Sequence, residues 1–441
     1  MNSRHPIASR RRKLVLACAA GLPILVLAGL WAHQAQAGGS VGPDVTVIYV
    51  GGASDSCSLG AYGVSNGVRG YAVGTTSCNV GDQPVWWCND IGDTFCNTNQ
   101  HPVIAQNMYR LKDGRFEQIG MSWLKHGFLS TNSFDSACGS CAGPPHGGDQ
   151  LGTGCTDTYG SSLNGSRPLG ERSEVNATTG DFPYPYTSVP TSTVIDQRMQ
   201  VKETDMDATN NPGARFWVEG QYVTADDAVA GNGFNNASYR EVSVAAGTFN
   251  LSCISPTVRE QPAIMVWPVV DPEVELLNVD VPSSPVERFH VARKVTNVGG
   301  GIWHYEYAIH NMNSDRSARS FEVKFPATAT ITNVGYHDVV HHSGEPYATT
   351  PWTSNVDTKN NAVSWSTDTF ATDPNANALR WGTMFNFWFD ATAAPTSSIQ
   401  HTLGLFKAGD PDAVKFNIGN DLIFADGFES GNLSSWSASV P

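Results

Sequence analysis

Trp303-His-Tyr-Glu-Tyr-Ala-Ile-His310 alternates strictly: Trp303, Tyr305, Tyr307 and Ile309 fall on one parity, His304, Glu306 and His310 on the other. Successive side chains of an extended chain point to opposite faces, so a period of two reads as a strand with one apolar face. The same period returns at Phe321, Val323 and Phe325 against Glu322 and Lys324, then at Phe385, Phe387 and Phe389, and at Leu403 and Leu405. Turn residues separate these runs, and no long helical period occurs elsewhere. Residues 289–420 are expected to form a cysteine-free antiparallel β-sandwich.

Upstream, residues 254–288 carry Pro262, Pro268, Pro272, Pro282 and Pro285, which predicts a Pro-rich linker. Residues 38–253 form the other expected domain. Its short apolar runs, such as Val45-Thr-Val-Ile-Tyr-Val50 before Gly51-Gly52, predict strands joined by tight turns. Tyr109 and Leu111 before Asp113-Gly114, with Phe116 and Ile119 after it, predict a hairpin. The chain is thus expected to be all-β, with two β-sandwich-like domains, the first loop-rich and stapled by disulfides. The staples are Cys57, Cys78, Cys88, Cys96, Cys138, Cys141, Cys155 and Cys253, up to four bridges whose pairing sequence does not give. Cys138-Gly-Ser-Cys141 has the spacing of a redox or zinc motif. With no second such pair and no βαβ pattern around it, a structural disulfide role is expected. Asp226-Asp227 and Gly231-Asn-Gly-Phe-Asn-Asn236 fit no defined calcium loop and read as a solvated turn.

At the start, five cations (Arg4, Arg10, Arg11, Arg12 and Lys13) precede the apolar run Leu14 to Trp31 and the small-residue site Ala35-Gln-Ala37. Residues 1–37 read as a signal peptide, with Cys18 inside its apolar run. Its removal leaves 22 Lys+Arg against 41 Asp+Glu, a net charge of −19. So acidic a chain repels phosphate backbones and anionic lipid, which argues against nucleic-acid partners and suits amine-bearing ones. The last segment, 421–441, reads as a terminal tail with no apolar span after it, so the mature chain is expected to hold no membrane span.

The residue types capable of chemistry crowd between Asn97 and Tyr159: His101, His126, His146, Lys125 flanked by Trp123 and Phe128, three cysteines, and Asp157 beside Tyr159. No His-Glu-x-x-His zinc site occurs. His337 with His341-His342 reads as an exposed strand edge, with metal as the other reading.

Two resemblances meet in this stretch. The run from Asn99 to Gly120, continued by Trp123-Leu-Lys-His-Gly-Phe128, resembles a family of secreted bacterial proteins without an assigned function. Over about 140 residues the order of features is also similar to the catalytic domain of copper-dependent lysyl oxidases. The matching features are a histidine before a hairpin, Lys125 with Gly127-Phe128, a cysteine loop, Gly154-Cys-Thr-Asp-Thr-Tyr-Gly160 and, later, Asn235-Asn236. The resemblance implies that Lys125 and Tyr159 fuse into a lysine tyrosylquinone beside copper. That cofactor would take a primary amine as a Schiff base, with Asp157 or Glu117 removing its α-proton. The family's three copper histidines correspond here to Asn97, Asn99 and His101, so His126 and His146 would have to complete a metal site. The expected function is that of a secreted or surface protein with a diverged lysyl-oxidase-like domain, acting on extracellular polymer or protein and oxidising primary amines. The alternative is a non-catalytic binding, adhesion or structural module whose aromatic side chains stack on sugars or peptides.

Overall fold

The computed structural model describes residues 40–88, 95, 99–188, 191–342 and 344–419. The signal-peptide and tail readings, Cys96 and Asn97 lie outside them. The described chain is all-β, built from antiparallel sheets with helices of at most six residues.

In the second half two five-stranded sheets face each other. One runs in the order 275–281, 287–299, 302–311, 384–391, 331–337, and the other 353–357, 362–366, 318–324, 400–405, 413–416. The period-two residues meet between them. Tyr305, Tyr307, Ile309, Phe321, Val323, Phe385, Phe387, Phe389 and Leu403 are all fully buried in one apolar cluster. The opposite parity is not solvated. Glu306 and His310 are buried, because the outer face of this sheet packs on the first half. There Ala292, Ala308 and Met384 join Tyr109, Phe116, Trp217 and Trp267. Arg115 forms a two-pronged ion pair with Glu306 at 2.8 and 2.7 Å, and Asn386 Nδ2 donates to the Phe116 carbonyl at 2.9 Å.

The stretch 254–288 is more than a connection. Helical turns at Ala263–Met265 and Val266–Val270 bury Ile264 and Trp267 in that same interface. Glu275–Val281 is an edge strand paired along its length with the strand Glu287–Gly299. Pro262, Pro272 and Pro282 flank these elements, where a residue without an N–H is tolerated, while Pro268 lies inside Val266–Val270. Composition therefore registered the breaks and missed what lies between them.

In the first half, the strands 45–50, 75–79, 155–159 and 133–134 form one sheet. It packs on a larger sheet ordered 251–253, 237–244, 215–223, 103–112, 115–121, 199–202, 68–73, 59–65. Val45, Val47, Tyr71, Ile104, Met108, Val218 and Tyr222 fill the space between them. The predicted hairpin is Val103–Lys112 with Arg115–Met121. Asp113 (φ 51°) and Gly114 (φ 82°) both take the positive φ that a two-residue Asp-Gly loop requires. Disulfides join Cys57 to Cys253, Cys78 to Cys138 and Cys141 to Cys155. The two cysteines of Cys138-Gly-Ser-Cys141 thus pair with different partners, both pinning the loop-rich region after residue 129. No helix among the described residues is long and apolar enough to cross a membrane.

Candidate functional site

Lys125 and His126 form a two-residue strand beside the start of Val103–Lys112, with Ile104 opposite Lys125 and Val103 opposite His126. His101 lies just before that strand. This register, closed by Gly127 N–H donating to the Pro102 carbonyl at 2.9 Å, brings the two imidazoles together. His101 Nε2 and His126 Nδ1 are 2.9 Å apart. Around them stand Phe128, Phe182, Tyr184 and Tyr186, the last stacked on His126 at 3.8 Å between ring centres. Burial, with the charges of His101 and Lys125 adding to it, pushes the His126 pKa down to about 2. It is a neutral imidazole.

Tyr159 ends the strand Cys155–Tyr159 and donates from Oη to the Phe128 carbonyl at 3.1 Å. Gly127 makes that approach possible: a Cβ there would sit 3.3 Å from Tyr159 Oη. The Lys125 ammonium lies 6.0 Å from the centre of the Tyr159 ring and 5.7 Å from that of Phe128. Burial lowers the Lys125 pKa, and it holds the Tyr159 phenol well above its usual range, with the Asp157 charge adding to the effect. The amine and the phenol that the lysyl oxidase resemblance singles out, far apart in sequence, are neighbours in space.

Asp157 is held by three donors. Trp87 Nε1 reaches its Oδ2 at 3.1 Å, while Thr131 N and Oγ1 reach its Oδ1 at 2.8 and 3.0 Å. Burial raises its pKa against these hydrogen bonds. So tethered, it positions the strand that carries Tyr159. Glu117 is committed to Arg110 at 2.6 Å.

His146 belongs to another group. It stacks on Trp86 at 5.3 Å and meets Phe95 in a tilted contact at 4.8 Å, and Phe95 is 66% exposed. Among the described residues no three of His, Cys, Asp and Glu converge on a common metal position. Cu(II) is best served by several imidazoles, and His101 with His126 supplies two. The outer nitrogen of His126 faces Gly170, where even a Cβ would come within 2.5 Å, so no ligand enters from that side. The described donors do not make the family's three-imidazole set.

Of the second histidine group, His337 ends the edge strand Ile331–His337 and is half-buried, whereas the other two lie off that edge. His341 and His342 are buried in the loop that follows the strand Ile331–His337, His341 Nε2 against Asn377 Oδ1 at 3.2 Å and His342 Nε2 against Glu345 Oε1 at 3.2 Å. The polar turn at 225–236 is not solvated: Asp227 and Asn236 are buried, and so is Asp44 opposite them. Reading the sequence missed Trp87, Thr131 and the aromatic wall of Phe182, Tyr184 and Tyr186. The run Asp181-Phe-Pro-Tyr-Pro-Tyr186 was visible as aromatic and Pro-rich, but nothing in it tells which way its rings face.

No protein-family model matches the chain, and no curated protein matches it. Among solved structures it is similar to the C-terminal domain of the antigen I/II-family protein AspA of Streptococcus pyogenes. That alignment has 8% identity, covers 86% of this chain and 98% of that one, and has a TM-score of 0.17. A likeness at that score carries no argument about fold or function.

Proposed function

We propose that this chain acts outside the cell as a binding or structural module on extracellular polymer or protein, built on a diverged lysyl-oxidase-like domain. Disulfides suit an oxidising compartment, and the acidic surface suits amine-bearing partners. The observation that carries the reading is the cluster of Trp86, His146 and Phe95, in which the Phe95 side chain is largely exposed. Exposed aromatic rings bind sugar rings and peptide side chains through offset stacking and apolar contact. The test is an array of glycans and matrix proteins read with the wild type and with Trp86→Ala and Phe95→Ala. Hits that weaken in both variants support the reading, and an empty array alongside turnover of a primary amine rejects it.

A second reading, amine oxidation, is favoured by the closeness of Lys125 to Tyr159. It requires oxidation of the Tyr159 ring and a bond from Lys125 Nζ to it, and two imidazoles fall short of the family's set for that step. The module reading therefore expects a colourless protein whose Lys125 and Tyr159 peptides have unmodified masses. A visible quinone band that reacts with phenylhydrazine and disappears in Lys125→Ala installs the oxidase in its place.

A further inference from the structure

Arg198 follows a turn in which Asp196 accepts from Ser192 N at 2.7 Å, Thr193 N at 2.8 Å and Thr193 Oγ1 at 2.7 Å. That turn places two arginines. Its Thr193 carbonyl accepts from Arg167 Nη2 at 2.8 Å. The stem of Arg198 crosses Gly70, where a Cβ would come within 3.2 Å of Arg198 Cβ and Cγ, and its guanidinium lies over Tyr62, 3.9 Å from the ring centre. Tyr62 is itself fixed. Its Oη donates to the Ser161 carbonyl at 2.9 Å, and the side chain is seated so closely on Gly60 and Gly165 that a Cβ there would come within 2.9 and 2.1 Å of it. Tyr62 belongs to Leu59–Ser65, the edge strand of the larger sheet of the first half, and Arg167 beside it is exposed.

The group lacks an acid. Arg198 Nε and Nη1 are buried without an acceptor, and neither arginine forms an ion pair among the described residues. Burial pushes the Arg198 pKa down and the charge of Arg167 pushes it further, with only the Tyr62 phenol acting the other way. Elsewhere in this half Arg69, Arg110, Arg215 and Arg240 each meet a carboxylate at 2.7, 2.6, 2.7 and 3.2 Å. With 41 Asp+Glu against 27 Lys+Arg in the chain, the shortage at Arg167 and Arg198 is local. Buried N–H groups normally have an acceptor, and like charges set side by side repel. A guanidinium held flat on an aromatic ring presents its donors as a rigid fork that matches two oxygens of one anion.

We propose that Arg167 and Arg198, seated on Tyr62, bind an oxyanion carried on a sugar ring, the carboxylate or sulfate of an acidic polysaccharide. The rest of the chain selects the carrier. Duplex nucleic acid and anionic bilayers present dense negative charge, which the acidic remainder of the surface repels. A sugar polymer spaces its charges ring by ring, so one of them reaches the arginines without bringing many others against that surface. The extracellular source of the polymer rests on the reading proposed above, while the oxyanion site does not.

The full chain is titrated calorimetrically with an oligogalacturonate, a sulfated oligosaccharide, a neutral oligosaccharide of equal length, sodium sulfate and a short DNA duplex. Binding of an acidic oligosaccharide and not of the neutral one is expected, weakened by added salt, and the arm that binds tells carboxylate from sulfate. Arg198→Ala should weaken it about tenfold or more, and Arg198→Lys, which keeps the charge and loses the fork, should not restore it. Arg167→Ala, at an exposed side chain, should weaken it too, and circular dichroism checks that each variant is folded. A folded wild type that binds no acidic oligosaccharide overturns the proposal, and so does sulfate binding alone, which marks an adventitious ion only. Equal binding of the neutral oligosaccharide or of the duplex also overturns it. Acidic-sugar binding that Trp86→Ala and Phe95→Ala abolish, and that Arg167→Ala and Arg198→Ala leave unchanged, sinks this inference and leaves the module reading standing.

Discussion

The two halves of this molecule solve the same problem by different means. The second half buries a dense array of rings between two sheets. Phe387 alone contacts the rings of Phe321, Tyr336, Trp352 and Trp365 at 5.2 to 5.5 Å between centres. The first half has longer irregular segments and fewer large side chains between its sheets. It adds covalent closure, including a bridge between residues 196 apart in sequence. Aromatic packing stabilises the native state through burial, whereas a disulfide acts largely by restricting the unfolded chain. Loops that carry a site are poor at burying apolar area, so the half with the candidate site is the half with the staples.

The strongest way to break this contrast is Phe387→Ala. Emptying a fully buried ring position should cost about 3–5 kcal/mol. Urea titration should show the whole molecule melting earlier, because the sandwich shares a buried face with the first half. Loss of the second half alone would mean that the shared face does not couple them.

Next in size, replacing both Cys57 and Cys253 by Ser should lower stability by about 2–4 kcal/mol. Calorimetry of the double variant should match that of a wild type in which this bridge is selectively reduced. A negligible change would assign the first half's stability to its core instead.

Trp87→Phe keeps the ring and removes the indole N–H from the buried Asp157, which should cost about 1–3 kcal/mol. Tyr159 fluorescence and its exposure to nitration should report a loosened strand end. No change in either would remove Asp157 from its positioning role.

The smallest effect per group is with pH. His126, His290 and His401 have pKa values pushed down by burial to about 2, 3 and 3, against 6.5 when unfolded. The unfolded chain binds these protons first. Their contribution is therefore intact above pH 6.5 and is lost as pH falls toward the folded values. Each histidine should cost up to about 1.4 kcal/mol per pH unit in that window. The midpoint of urea unfolding at pH 7, 6 and 5 checks it, and with the halves coupled the whole molecule should shift together.

Much of this was legible from residues alone. The parity of Tyr305, Tyr307 and Ile309 gave a strand because a pleated chain has only two faces, and Asp113-Gly114 gave a hairpin because both residues tolerate positive φ. The pairing of Lys125 with Tyr159 was reachable through resemblance. The position of His146 was not: whether an imidazole in a loop turns toward His101 or toward Trp86 depends on how that loop folds back. Nor was the burial of Asp227, since its acidic, Gly-rich surroundings are also those of an open turn.

Local alternation and turn chemistry, which act between neighbours along the chain, settled that the protein is made of antiparallel sheets. Tertiary structure alone decided which polar groups lost their water. That outcome depends on which surfaces meet: the outer face of the sandwich against the first half, and the turn at 225–236 against Asp44. Desolvation belongs to a contact between distant segments, and no residue carries it in its own identity.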